Sequence, residues 1–220
     1  MTKRYTVMLF DLDGTLINTH ELILASFMHT LERHCPGKYT REDVIRYMGE
    51  PLIDQMRRFD PDQAEVMVHT YREHNIQHHD EYASAFPGVV EVLHLLADAG
   101  VKMGVVTNKQ RKTAEMGLRL LGVEKLMQTV ICFGETEKAK PHPDPVLTAM
   151  KRLHGKPDRT LMVGDSKYDL MAGKRAGVAS ALVGWSMHDP VELKALEPDY
   201  VLDSPEDLLP LAGIGSKGTS

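Results

Sequence analysis

Val7-Met8-Leu9-Phe10-Asp11-Leu12-Asp13-Gly14-Thr15 is the stretch that decides the fold. The apolar run Val7 to Phe10, ahead of a glycine turn, reads as a buried strand. Asp11 and Asp13 follow it on alternate positions. Acids at the end of a buried strand are costly unless a cation or a proton compensates them. Alternation lets one carboxylate point straight at a ligand while the other leans aside. That suits a carboxylate nucleophile beside a helper acid, both close to a bound metal. A solvated Asp-rich turn would use the same letters. A calcium-binding EF-hand loop also opens with Asp-x-Asp, but it needs Gly at its sixth position and Glu at its twelfth. Those positions hold Leu16 and Leu22, so that reading fails.

Beyond Thr15 the texture becomes helical. Apolar residues recur at helical spacing over 19–34, Thr40 to Asp43 opens a second helix with a capping pattern, and Pro61 starts a third that runs toward His79. Residues 16–84 are therefore expected to form an all-helical insert, with Pro87-Gly88 marking its end. Strand and helix candidates then alternate. Strands are expected at 101–106, 130–133, 160–163, 181–183 and 200–202, with helices at 89–99, 111–121, 145–153 and 169–176. Alternation of this kind makes an α/β fold, a doubly wound parallel sheet, from residues 1–15 and 85–220. The tail from Gly213 is rich in glycine and serine and is expected to fray.

A net charge of -5 gives no reason to expect nucleic acid or a membrane surface as partner. No apolar run approaches the roughly 20 residues that span a bilayer, and the start of the chain lacks an apolar signal core. Cys35 and Cys132 are far apart and read as free thiols of a reducing, cytoplasmic compartment. The histidines around 28–29, 74–75 and 78–79 lie in polar helical sequence, where surface placement is expected.

The chemically loaded segments each follow a strand candidate, where an open α/β sheet lines its binding crevice. Asp11, Asp13, Thr107, Asn108, Asp165 and Asp169 would converge there. Phosphoryl transfer needs a nucleophile, donors for the phosphoryl oxygens and cations against developing charge. Asp11 can attack, and Asp13 can protonate the leaving group and then deprotonate water. Thr107 offers a hydroxyl and an N–H, and Lys140 a fixed charge. Asp165 and Asp169, spaced as G-D-x-x-x-D, offer hard oxygens suited to Mg²⁺. Each part alone has a plain structural use: a helix cap at Thr107-Asn108, a solvated Lys140, a turn at Gly164-Asp165.

Taken together, the Asp11-Leu12-Asp13-Gly14-Thr15 motif, Thr107, Lys140 and Gly164-Asp165 with Asp169 resemble the haloacid dehalogenase superfamily of phosphohydrolases. The resemblance implies a Rossmann-like core, a mobile helical cap over 16–84, Asp11 as nucleophile and Asp13 as acid and base. It implies Mg²⁺ held by Asp11, the Asp13 carbonyl and Asp165. Asp169 is placed near the metal or behind it, orienting Lys140. True dehalogenases lack the second Asp, so Asp13 argues against carbon–halogen cleavage. Segments outside the motifs, such as Cys35-Pro36-Gly37-Lys38-Tyr39 and Pro143-Asp144-Pro145, resemble a pyrophosphatase group within the phosphoglycolate phosphatase-like branch. This implies hydrolysis of inorganic pyrophosphate to two phosphates. A small-molecule phosphomonoesterase and a phosphosugar mutase are the alternatives, and Thr15 leans toward hydrolysis over the mutase. The expected partner is a small phosphorylated substrate or pyrophosphate, bound by a monomer or homodimer. Lys109, with Lys38, Arg41, Arg57 or Arg58 from the insert, is a candidate to hold the second phosphate.

Overall fold

The computed structural model describes residues 5–215. Most of the tail expected to fray therefore lies outside the described residues. Six parallel strands form the main sheet in the order β5-β4-β1-β6-β7-β8. They are β1 (Val7–Phe10), β4 (Lys102–Val106), β5 (Met127–Ile131), β6 (Thr160–Gly164), β7 (Ala179–Val183) and β8 (Tyr200–Leu202). The helices of this part are α6 (Val89–Asp98), α7 (Arg111–Leu120), α8 (Asp144–Arg152), α9 (Lys167–Ala176), α10 (Pro190–Lys194) and α11 (Leu208–Leu211). β1 lies between β4 and β6, and the chain winds outward from it in both directions. The order reverses there, so the crevice falls at the carboxyl end of β1.

β1 is buried along its whole length because both faces of the sheet are covered. Met8 and Phe10 join one apolar cluster, with Leu93, Leu96 and Leu118, and Val7 and Leu9 join the other, with Val146 and Leu153. Each such fully buried side chain stabilises by about 1.5–3 kcal/mol. This is why the run carries no polar residue until its carboxyl end.

Between Asp13 and Pro87 the chain forms α1 (His20–His34), α2 (Arg41–Ile45), α3 (Leu52–Phe59), α4 (Ala64–Gln77) and α5 (His79–Tyr82). These helices have an apolar cluster of their own, built on Leu24, Phe27, Leu31, Met56 and Met67. The segment is not wholly helical. β2 (Ile17–Asn18) pairs antiparallel with β3 (Ser84–Ala85), so the two connections to the sheet run side by side. Two-residue strands carry no periodicity, and that hid them in the sequence. The strand expected at 130–133 starts at Met127 and ends at Ile131, because Cys132 and Phe133 turn toward the loop that brings in Lys140. His79, expected at the surface, is fully buried and bonds Asp80 through Nδ1 at 2.7 Å.

Candidate active site

Asp11 lies one residue past β1, with its N–H donating to the Val163 carbonyl of β6 at 2.9 Å. The backbone then turns sharply through Gly14, which has φ +75 and donates to the Ile17 carbonyl at 2.9 Å. A Cβ on Gly14 would run into the Asp165 carboxylate, so glycine is needed for both its conformation and its bareness. Asp165 follows β6 directly, and Asp169 sits on the first turn of α9. Oxygens of Asp11, Asp165 and Asp169 lie within 4.8 Å of one another.

Lys140 is the hub of this cluster. It is 3% exposed, and its ammonium donates to Asp11 Oδ1 at 2.7 Å, Asp169 Oδ1 at 2.6 Å and the Val106 carbonyl at 2.8 Å. All its donors are therefore used within the protein. The other Asp169 oxygen accepts from the Ser166 N–H at 3.0 Å and its hydroxyl at 2.6 Å. Both oxygens of Asp169 are thus engaged by the chain, which fits a group that positions Lys140 better than a direct metal ligand.

The electrostatics leave the cluster short of positive charge. Burial pushes Asp11 up to about 7, although Lys140 pulls the other way. Burial, reinforced by Asp169 and Asp11, holds Asp165 well above the ordinary carboxylate range. Burial works against the Lys140 charge, but Asp11 and Asp169 outweigh it and raise its pKa. Among the described residues, none gives the Asp165 carboxylate a hydrogen bond or an ion pair. An uncompensated buried carboxylate beside a second one is stable only with a proton or a cation. Hard oxygen donors of this kind suit a divalent cation such as Mg²⁺ or Ca²⁺.

Asp13 stands apart from the other three acids. Its Oδ1 accepts from Thr19 Oγ1 at 2.6 Å and from Lys109 Nζ at 2.7 Å, which leaves Oδ2 without a hydrogen-bond partner among the described residues. Thr107 is buried beyond β4, and its Oγ1 accepts from the Lys109 N–H at 3.1 Å, leaving the hydroxyl proton to donate. Asn108 does not offer its amide to a ligand. It bonds the Gly49 carbonyl at 2.9 Å and both the carbonyl (3.0 Å) and N–H (3.1 Å) of Lys140, tying the 48–50 loop to the Lys140 segment. A second tie runs from the Tyr168 hydroxyl to Glu50 Oε1 at 2.7 Å. Gly49, at φ +92, leaves room for the Tyr168 ring.

A cavity of about 180 Å³ opens between the sheet end and the helical segment. Asp11, Asp13, Thr107, Lys109, Lys140 and Asp165 form one wall, and Ile23, Phe27, Leu52, Ile53 and Tyr71 form much of the other. The cations expected from the insert are not there. Arg41 pairs with Glu21, Arg57 with Asp54 and Arg58 with Glu50, and neither these nor Lys38 lines the cavity. The lining includes residues that the sequence did not single out: His20, Gln55, Arg72, Lys112 and His188. Arg72 and Lys112 read as ordinary helix-surface charges, so nothing local marked them. Among the described residues, no helix is long and apolar enough to cross a membrane.

The model of the haloacid dehalogenase-like hydrolases matches residues 8–183. The chain belongs to that family. Among curated relatives, it is 44% identical over 209 residues to the pyrophosphatase PpaX of Halalkalibacterium halodurans, covering 95% of this chain and 97% of that one. It is 43% identical over 212 residues to PpaX of Bacillus velezensis, covering 96% and 98%. A solved haloacid dehalogenase-like hydrolase from Streptococcus pneumoniae superposes with a TM-score of 0.84 at 24% identity, covering 96% of this chain and 99% of that one. A Haemophilus somnus protein described as a predicted phosphoglycolate phosphatase gives 0.83 at 24%, covering 94% and 97%. At that identity the solved structures speak for the fold alone, and they agree with the doubly wound sheet.

Proposed function

We propose that this chain is a Mg²⁺-dependent phosphohydrolase that cleaves inorganic pyrophosphate to two phosphates. The observation that carries the substrate is the 44% identity to a pyrophosphatase along 95% of the chain. The site geometry supports the chemistry. An Asp11 oxygen attacks one phosphorus, the bridging P–O bond breaks, and the departing phosphate takes a proton from Asp13. Water then attacks the phosphorus of the aspartyl phosphate and gives its proton to Asp13. The Asp11–phosphate bond breaks and the second phosphate leaves. Lys140 holds Asp11 in place, and the Thr107 hydroxyl takes a phosphoryl oxygen, since the Thr107 N–H expected to help donates instead to the Ile131 carbonyl at 2.9 Å. Asp11, Asp165 and the Asp13 carbonyl would hold Mg²⁺, which when bound neutralises charge on the transferring group. Asp169 acts through Lys140.

Residues 1–15 and 85–220 serve as the catalytic core, and 16–84 as a cap whose 48–52 loop closes on it. The site is complete in one chain, so a monomer suffices, and the two buried free cysteines suit the cytoplasm. A second reading, a phosphomonoesterase, is favoured by one observation: the apolar wall of Ile23, Phe27, Leu52 and Ile53, which suits a carbon leaving group. Phosphate release from pyrophosphate, phosphoglycolate, p-nitrophenyl phosphate and glucose 1-phosphate, with and without Mg²⁺, decides between them. Pyrophosphate should show the highest kcat/KM, and Asp11→Asn should cost several decades on every substrate. A higher kcat/KM on phosphoglycolate would transfer the assignment to the second reading.

A further inference from the structure

We infer that Arg72 and Lys112 form a second anion subsite in the cavity, which takes the leaving phosphate. The inference rests on the pyrophosphate reading and deepens it. Four cations line the cavity. Lys140 is fully bonded to Asp11, Asp169 and a carbonyl, and Lys109 is paired with Asp13. Arg72, on α4, and Lys112, on α7, have no side-chain hydrogen bond or ion pair among the described residues. One comes from the helical segment and the other from the sheet part, so an anion between them would bridge the two.

The chemistry of the pair fits a phosphate. A guanidinium presents paired N–H groups that match two phosphate oxygens, and a lysine adds a mobile point charge. The neighbouring apolar wall of Phe27, Tyr71 and Ile76 lowers the local dielectric and strengthens both attractions. Gln55 adds an independent observation. It is 6% exposed and lines the same cavity. Its Nε2 donates to the Glu50 carbonyl at 2.8 Å, which fixes which end of the amide is oxygen. Its Oε1 is buried without a partner among the described residues. Gln55 and the two free cations line one cavity, and a ligand that carries negative charge and still has an O–H to donate would answer both. A singly protonated phosphate has both.

In the reaction, charge builds on the departing phosphate as the bridging bond breaks. Donors placed where that charge develops speed the step as well as binding the substrate. A nitrophenolate leaving group has no phosphate oxygens for these side chains.

The test uses Arg72→Gln, Lys112→Gln and Arg72→Lys in the full chain with Mg²⁺. Two quantities are read: the ratio of kcat/KM on pyrophosphate to that on p-nitrophenyl phosphate, and the inhibition constant of imidodiphosphate, a non-cleavable analogue, against p-nitrophenyl phosphate hydrolysis. Each Gln variant should lower the ratio by about tenfold and weaken the analogue by a similar factor, the scale of a lost charge-assisted hydrogen bond. Arg72→Lys should recover part of both. Thermal melts confirm that the variants fold. An unchanged ratio and an unchanged inhibition constant in both Gln variants overturn the subsite, even while the wild type still cleaves pyrophosphate. If the wild type leaves pyrophosphate intact, the reaction assignment falls. Weakened imidodiphosphate binding in the variants would then still uphold the subsite.

Discussion

Asp11→Asn should make the metal-free protein more stable at alkaline pH. Asp11 ordinarily titrates near 3.8 and is raised to about 7 in the fold, chiefly by burial. A carboxyl raised in this way binds more protons folded than unfolded between those values. Its contribution is therefore fully present below about pH 3.8 and is lost as the pH rises through about 7. At about 1.4 kcal/mol per pH unit, the interval sets an upper scale of about 4 kcal/mol. A domain of this size shifts its Tm by roughly 2–4 °C per kcal/mol, so the gap can reach at most about 8–16 °C. Melts of wild type and Asp11→Asn, followed by circular dichroism in EDTA from pH 4.5 to 8.5, read it directly. The two should melt close together at the acid end, and the variant should melt higher at pH 8.5. His20 and His188, lowered by burial, change stability in the opposite direction, but both proteins carry them and the difference cancels them. Saturating Mg²⁺ should narrow the gap by raising the wild type, by about 2.7 kcal/mol at a hundredfold excess over Kd. Parallel curves in EDTA across the whole range would refute the reasoning. They would mean that Lys140 fully compensates the Asp11 charge.

Two other substitutions probe the remaining roles. Asp13→Ala should cost far more on an alkyl phosphate than on p-nitrophenyl phosphate, because a general acid matters most for a basic leaving oxygen; equal losses in kcat/KM would remove Asp13 from that role. Tyr168→Phe deletes the 2.7 Å bond to Glu50 that ties the 48–52 loop to α9. It should lower kcat/KM several-fold, as expected for about 1–2 kcal/mol of lost closure. Unchanged kinetics would assign loop docking to the Asn108 bond with Gly49 alone.

The strands around β1 were legible because a fully buried parallel strand writes an unbroken apolar run, and its carboxyl end is where the acids must fall. Position in the sequence then told which residues meet, since Asp11, Thr107 and Asp165 each follow a strand of the same parallel sheet. What sequence could not give is the partner of each side chain. Asn108 reads the same whether its amide meets a ligand or braces Gly49 and Lys140. Asp169 reads the same whether it holds a metal or, as here, spends both oxygens on Lys140 and Ser166. The cavity wall from the helical segment was illegible for a further reason. Arg72 reaches the cavity only through the packing of α4 against α1 and α3, and no period in the sequence reports that crossing.

The charges of the cavity bear on which ligands it favours. Asp11, Asp13, Asp165 and Asp169 face the two bonded ammonium groups of Lys109 and Lys140. Two negative charges are left over, which is the charge of one divalent cation. Glu50 does not alter this balance, because Arg58 holds it in a paired salt bridge at 2.7 Å. His20 and His188 do not alter it either, since burial favours their neutral forms. Without a metal, Asp11 and Asp165 either take up protons or leave this end negative toward a polyanion. Once a cation is bound, that end is balanced, and Arg72 and Lys112 are the formal surplus that remains in the lining. In the proposed reaction, one phosphate of the substrate would then be attracted to those two residues, while the other meets a neutralised Asp11. On the proposed function, a pyrophosphate complexed with Mg²⁺ would bring the missing charge to the acids and offer its far phosphate to the free cations.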